Sequence, residues 1–496
     1  MYIGIISSRP KPPSRMRGEG GWLLRCYLAT NSQSLIPSSQ FPKEVFPLIQ
    51  KMGSIWLFAA KTMLFFIHVG IFFVGQNIFY EETLFFYWGN YIVIILYTAY
   101  LYFLCRIYQA FRIGSLGVAE IILSWILCLI VTNILEYLML SLIETKLLPV
   151  GGFLAVLAAQ IIIAIPLIAI IDRLYYFFNP VQKAIIIYGS TGKARDFQSV
   201  IDNNKRKFEI TRVISHEEEM EAILQSIDAA DSVLFLDLDE NIRSVLLEYC
   251  FLHNKRSYIM PRFSDIMINS AEIAWISDSP MYLPQIPEPD MGIRLVKRCM
   301  DIAISLIAIL LLSWLMLITV IIIYMYDREP PIYKQQRVTK GGKHFTLYKF
   351  RSMRIDAEAD GVPRLTSKDD QRITPIGRFI RKTRIDELPQ LFNVLAGTMS
   401  LVGPRPERPE IAEQYEKIYP NFSLRTKVKA GVTGYAQIHG RYNTAPDEKL
   451  LLDIMYIERF SIWLDIRLLL QTLKVVFIPS STEGVQGDAT TALREK

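Results

Sequence analysis

The sequence has little that would build a metal or redox centre. Its five cysteines, Cys26, Cys105, Cys128, Cys250 and Cys299, form no C-x-x-C pair, and several lie inside apolar runs. That excludes a disulfide framework and a zinc site. The five histidines are equally dispersed, so a catalytic metal here is expected to be a hard ion held by carboxylates. Charge is also sparse. Charged residues make up 21% of 496 positions and hydrophobic ones 51%, which excludes a disordered or fibrous chain. The length suggests about three domains. The net charge of +6 is not gathered into one basic stripe, and no nucleic acid partner is expected.

What is present is apolar sequence in long unbroken runs. Four lie in the N-terminal third: Ile55–Phe79, Leu84–Cys105, Leu116–Ile143 and Val150–Ile171. Each reaches the length of about 20 residues that a helix needs to cross a bilayer. Arg9, Lys11, Arg15, Arg17, Arg25, Lys43 and Lys51 precede the first run, and only Glu81 and Glu82 follow it. Arg106 and Arg112 follow the second, Arg173 and Lys183 the fourth. The positive-inside rule then predicts a four-helix unit, residues 53–173, with both ends in the cytoplasm. Residues 1–52, rich in Pro, Ser and Arg, are expected to be disordered, and Met52 is an alternative start. Glu136 lies within the third span, where a carboxylate is either functional or hydrogen-bonded to a neighbouring helix, for example through Asn133.

From Val181 the texture changes to soluble α/β. Ala184–Tyr188 and Ser232–Asp237 read as buried strands, Ala194–Ile201 and Ile242–Leu252 as helices. A small parallel, Rossmann-like sheet over 181–279 is expected. The turn Gly189-Ser190-Thr191-Gly192 lacks the third glycine of a dinucleotide fingerprint, leaving a structural or a nucleotide-binding role open. The Pro-rich run Pro280–Pro289 predicts a linker, 280–293.

Lys297-Arg298 opens a fifth apolar run, Ile302–Tyr326. Between Arg294 and Glu387 there are eighteen Lys/Arg against ten Asp/Glu. A basic face on anionic membrane lipid explains part of that excess. The turns that carry Lys349, Arg351 and Arg372 also suit discrete phosphate oxygens. In Asp386-Glu387-Leu388-Pro389-Gln390, Asp386 reads as a helix N-cap, with Pro389 in the first turn and Gly397 beyond the end. The same two carboxylates could hold Mg²⁺ and attack phosphorus, and both readings stand on spacing alone. Leu401-Val402-Gly403-Pro404-Arg405-Pro406 then fixes one arginine between two prolines.

With Lys297-Arg298-x-x-Asp301, Gln336-Arg337, Lys349-Phe350-Arg351-Ser352-Met353, Gly431-Val432-Thr433-Gly434-Tyr435-Ala436-Gln437, Gly440-Arg441 and Tyr456-x-x-x-Phe460-Ser461-x-x-x-Asp465, these motifs fall in order. From about Lys297 to Phe477 the chain strongly resembles the bacterial sugar transferase family, the monotopic polyprenol-phosphate hexose-1-phosphate transferases, in its long form with four N-terminal spans. The resemblance implies a membrane protein of three parts: the α-helical four-span bundle, the small α/β module, and a mainly α-helical catalytic domain over 294–480 with a re-entrant membrane helix at about 301–326. Residues 481–496 form a tail. It implies transfer of a hexose-1-phosphate from a UDP-sugar to undecaprenyl phosphate, with release of UMP, at the cytoplasmic face of the bacterial plasma membrane. Asp386 is then the nucleophile, Glu387 its acid–base or metal-binding partner, and Mg²⁺ the ion. Arg405 leads the anion-binding residues, followed by Lys349, Arg351, Arg337 and Arg372. The family breaks its membrane helix at a Ser-Pro pair where this chain has Ser313-Trp314, so the bend is expected near Ser313. It also commonly has Pro where this chain has Ala430.

The accessory region leaves room for a homodimer. Glucose and galactose are the first sugars expected, N-acetylated ones next. The alternatives are a membrane-bound NAD-dependent nucleotide-sugar dehydratase and an inactive membrane scaffold. None of the 25 tyrosines begins the Tyr-x-x-x-Lys pair that the dehydratase needs, and the intact Asp386-Glu387 and Arg405 oppose the scaffold.

Overall fold

A computed structural model describes residues 46–79, 88–179, 181–190, 197, 207–284, 290–357, 370–440 and 445–476. The first four helices are α1 (Phe46–Phe79), α2 (Gly89–Ile107), α3 (Val118–Ile143) and α4 (Val150–Phe178). Helix α1 begins inside the stretch expected to be disordered, since the apolar period already runs on from Phe46. The rest of that stretch lies outside the described residues. Leu64, Tyr97, Leu101, Trp125 and Ile168 form a fully buried core, while Phe58, Ile95 and Ile162 point outward. An apolar exterior around an apolar core is what lipid selects. Among the described residues, five helices are long and apolar enough to cross a membrane: α1 to α4 and α8 below.

The α/β module carries β1 (Gln182–Tyr188), β2 (Phe208–Ser215), α5 (Met220–Ala229), β3 (Ser232–Leu236), α6 (Glu240–Leu252), β4 (Arg256–Ile259) and α7 (Phe263–Asn269). The strands form a parallel sheet in the order β2-β1-β3-β4. Ile185 and Ile187 face a core shared with α5 and α6, and Ala184 and Ile186 face the opposite one. Burial on both faces explains the unbroken apolar strands. Thr191, Gly192 and most of the Ala194–Ile201 helix lie outside the described residues. The expected linker is partly structured: β5 (Glu272–Ile276) and β6 (Ser279–Leu283) pair as a hairpin that includes Pro280. Pro fits there because this two-stranded ribbon leaves edge positions that need no donor.

Helix α8 (Met291–Asp327) starts about ten residues earlier than expected and is assigned without a break through Ser313-Trp314. Trp314 retains the N–H that proline would remove, and the Ser313 hydroxyl donates to the Leu310 carbonyl at 2.9 Å. Only 11% of the most apolar stretch of α8 is buried within the protein. Straight, 37 residues would span about 55 Å. Near one end, Arg298 donates to the carbonyls of Val394 and Leu395, and Ser400 donates to Asp301. At the other end, Asp327 pairs with Arg351.

The remainder comprises the antiparallel hairpin β7 (Ile332–Val338) and β8 (His344–Phe350), α9 (Pro375–Lys382), α10 (Gln390–Ala396), β9 (Ser400–Val402), α11 (Pro409–Ile418), β10 (Gly431–Thr433), α12 (Tyr435–His439), α13 (Pro446–Glu458) and α14 (Ile462–Val476). Its core gathers Leu347, Val394, Met399, Ile454 and Leu468. Helix α14 also reaches the four-helix unit. Gln471 donates to the Ile107 carbonyl at 2.8 Å, Lys474 meets Glu120 at 2.9 Å, and the rings of Trp463 and Phe103 stand 5.2 Å apart. Residues 481–496 lie outside the described residues.

Candidate active site

Three short segments converge on the acidic pair. The first is the turn that carries it. Arg384 takes a left-handed conformation (φ 58°) and opens a 3-10 turn, Ile385–Glu387, ahead of α10. Asp386 is therefore not the N-cap of α10, a position held by Pro389. Local capping signals favoured Asp386, but the left-handed residue before it tightens the chain into a separate turn. Gly397 (φ 83°) ends α10 as its spacing predicts.

The second segment is β8, which carries Lys349. Asn393 of α10 fastens the strand to the turn, accepting from the Tyr348 N–H at 3.1 Å and donating to the Thr346 carbonyl at 2.8 Å. The third is the loop Gly403–Glu407. A Cβ on Gly431 would sit 2.1 Å from the Gly403 nitrogen, so β9 and β10 approach as closely as they do because no side chain intervenes. The Arg337 guanidinium donates to the Pro406 carbonyl (3.0 Å) and Arg425 to the Arg405 carbonyl (2.9 Å). The buried Arg425 and the half-buried Arg337 thus fix the loop from which Arg405 extends.

One oxygen of Glu387, Oε1, receives all three groups: Arg405 Nη2 at 2.8 Å, Lys349 Nζ at 3.2 Å and Arg384 Nη1 at 3.7 Å. Burial by itself would raise the Glu387 carboxyl, but Arg405, Lys349 and Arg384 hold it well below the usual carboxylate range. Asp386 is pushed the other way, first by burial and then by the Glu387 charge, against Lys349, Arg381 and Arg384. Two adjacent carboxyls with divergent acidities are the pattern of a reaction centre. Asp386 is 8% exposed, and its Oδ1 has no hydrogen-bond partner among the described residues.

Of the five cations expected to bind anions, the structure brings Arg405 and Lys349 to the pair. It commits the others to further groups. Arg351 makes a two-pronged ion pair with Asp327 at 2.5 and 2.6 Å. Arg372 binds Asp370 in the same way, at 2.9 and 2.6 Å. Arg337 props Pro406, and burial lowers it to about 10. Sequence reasoning missed Arg384, though its i,i+3 spacing from Glu387 was a usable signal. It missed Asn393 as well, which gives no signal as a lone polar residue on a helix. Lys297 pairs with the buried Asp465, which also accepts from the Tyr456 hydroxyl at 2.8 Å. Those motif residues join α8, α13 and α14 and do not reach the pair. Arg441 lies outside the described residues.

Among the described residues, no cluster of three or more His, Cys, Asp or Glu could enclose a metal. Asp386 and Glu387 still fit Mg²⁺. That ion is commonly held by one or two carboxylates plus substrate phosphates, and Asp386 Oδ1 is an unpartnered oxygen donor at the site.

The family model described as bacterial sugar transferase matches residues 293–479. The chain is 52% identical over 130 residues to a putative undecaprenyl-phosphate N-acetylgalactosaminyl 1-phosphate transferase of Bacillus subtilis, covering 26% of this chain and 72% of that one. It is 37% identical over 233 residues to a UDP-N-acetylgalactosamine-undecaprenyl-phosphate N-acetylgalactosaminephosphotransferase of Aeromonas hydrophila, covering 46% and 54%. To the undecaprenyl-phosphate galactose phosphotransferase of Salmonella typhimurium it is 35% identical over 246 residues, covering 45% and 50%. The chain thus spans about half the length of the longer relatives it matches.

Proposed function

The chain belongs to the bacterial sugar transferase family, and from that premise we propose that it moves a hexose-1-phosphate from a UDP-sugar to undecaprenyl phosphate, releasing UMP, in two steps through Asp386. The proposal places it in the bacterial plasma membrane at the start of exopolysaccharide, capsule or O-antigen synthesis. It puts the site on the cytoplasmic face, with α8 entering and leaving on that face by bending near Ser313.

In the first step an Asp386 carboxylate oxygen attacks the sugar-bearing phosphorus. The bond from that phosphorus to the bridging oxygen breaks, UMP leaves with the oxygen, and a sugar–phosphate ester remains on Asp386. In the second step a phosphate oxygen of the lipid attacks the same phosphorus and the carboxylate departs. Arg405, Lys349 and Arg384 supply fixed positive charge where phosphate charge gathers. Mg²⁺ held by Asp386 and Glu387 would neutralise further charge on the pyrophosphate. Glu387, kept ionised by its three cations, holds those cations in place and orients them.

The observation that carries this reading is the buried, unpartnered Asp386 Oδ1 beside a carboxylate surrounded by cations. The test is a reaction of enzyme with a panel of UDP-sugars and Mg²⁺ but no lipid. UMP should appear up to about one equivalent per active site and stop, with the sugar-phosphate mass retained on the protein. Undecaprenyl phosphate should then restart turnover. UMP release only in the presence of lipid, with no added mass, would establish direct attack by the lipid and remove Asp386 from the nucleophile's role.

A further inference from the structure

Helix α13 buries one stripe, and that stripe contains an acid. Leu450, Ile454 and Ile457 enter the core at helical spacing, and Asp453 shares their face with 1% of its surface exposed. A carboxylate placed there is destabilising unless a cation meets it. The two-step reaction above uses no part of it. The cation is Arg425, on the 3-10 turn Phe422–Lys427, whose Nη2 stands 2.7 Å from Asp453 Oδ2. The same Nη2 donates to the Arg405 carbonyl at 2.9 Å. One nitrogen therefore ties α13 to the backbone of the arginine that reaches Glu387. The rest of the guanidinium is held as well. Its Nη1 lies 3.5 Å from Glu407 Oε1, and its Cζ stands 4.8 Å from the centre of the Phe422 ring. Arg405 needs such a hold at its backbone, because its own side chain is 39% exposed where it crosses to Glu387. Glu407 has cations besides Arg425: burial raises its carboxyl, but Arg425, Lys449, Arg337 and Arg405 together keep it below the ordinary value.

We propose that Asp453 is a positioning residue for the transfer reaction, aiming Arg405 at the reacting phosphates by holding Arg425 against the Arg405 carbonyl. The inference rests on the role given to Arg405 above. It makes Asp453 matter to the rate only through that arginine. A packing or folding role would matter whether Arg405 is present or not.

The test is a double-mutant cycle on the full-length protein, with undecaprenyl phosphate present. Turnover is read as UMP release from whichever UDP-sugar of the panel above reacts fastest. Asp453→Asn should slow turnover by about tenfold or more, because a small displacement of a charge-stabilising group is costly to the rate. In an Arg405→Ala background the same change should cost less than about threefold, since no arginine is left to misplace. An equal loss in both backgrounds, or no loss in the parent, overturns the proposal. Asp453→Asn also strands a buried guanidinium, and loss of the fold would hide the effect. An apolar pair, Asp453→Leu with Arg425→Met, is therefore made as well. It fills the space without burying charge, so it should keep the thermal midpoint of the parent and still lose the rate. A folded apolar pair with parental turnover overturns the proposal too. The lipid-free UMP burst keeps the two readings apart. A burst in the parent with equal losses in both backgrounds removes the positioning role and keeps the two-step reaction. No burst, with the loss confined to protein that has Arg405, keeps the positioning role and removes the two steps.

Discussion

Two glutamates sit largely out of water in different parts of this chain, and their surroundings share almost nothing. Glu136, in α3 of the four-helix unit, is 1% exposed, and neither of its oxygens has a hydrogen-bond partner among the described residues. The expected bond to Asn133 is not formed, because the Asn133 amide donates to Gln160 (2.8 Å) and to the Leu129 carbonyl (2.8 Å). A cavity of about 20 Å³ beside Glu136 is lined by neutral groups such as Gln76, Asn133 and Tyr137. The Glu387 side chain is 11% exposed, and it sits within 4 Å of three cations and next to a second carboxyl. Burial makes a carboxylate expensive to ionise, and fixed cations turn that expense into a reactive arrangement. A site is therefore recognised by what surrounds the acid.

The sharpest way to break this comparison is at the acidic pair itself. Asp386→Asn should abolish both the lipid-free burst and turnover, and Glu387→Gln should cut turnover by about a thousandfold or more. Circular dichroism and thermal midpoints should stay near those of the parent. Detectable ester on the Asn variant would end the nucleophile assignment.

Arg405→Ala comes next. It removes the shortest cation contact to Glu387 and should lower the single-turnover rate by about a hundredfold, measured as UMP release in stopped-flow mixing. A change below about threefold would show that Lys349 and Arg384 suffice.

A smaller effect concerns pH. Asp386 must be ionised to attack, and its carboxyl is raised above the ordinary value of 3.8 by burial and by Glu387, with Lys349, Arg381 and Arg384 opposing. Activity should fall as pH drops through that raised value. Arg384→Gln takes away one opposing cation, so the acid limb of the burst rate should move to still higher pH while the plateau drops several-fold. A limb that moves down would contradict the charge balance described for the pair.

The smallest effect is expected in the other region. Glu136→Gln keeps the shape and removes the charge, and turnover should stay within about twofold of the parent. If it costs as much as Glu387→Gln, the contrast between the two acids is false.

Much of this was legible in the sequence because it is written locally. The spans α2, α3 and α4 follow from apolar length, and the strands β1 and β3 from short apolar runs flanked by polar turns. Asp386, Glu387, Lys349 and Arg405 were marked by their motifs. What sequence could not say was which guanidinium reaches which acceptor. Arg337, Arg351 and Arg372 carry the same charge as Arg405. The partners of Arg337 and Arg351, the Pro406 carbonyl and Asp327, are fixed by how the hairpin, the loop Gly403–Glu407 and α8 fold back on one another, whereas Arg372 is taken up by Asp370, two residues earlier in its own turn. The helix start at Asp386 was misread for a related reason. Capping preference is a local quantity; here the left-handed Arg384 opens a separate turn, and Glu387 in that turn is bound by groups 18 and 38 residues away.

The meeting of α14 with the first spans also sets a timetable for synthesis. The Ile107 carbonyl, at the last turn of α2, has no helical donor of its own, and Gln471, which satisfies it, lies 364 residues further along the chain. A ribosome adding roughly 5–20 residues per second takes on the order of 20–70 s to cover that interval. Through that time the membrane unit must persist with the end of α2 and the Glu120 carboxylate uncovered. The docking of α14 therefore follows the synthesis of the first spans by that interval.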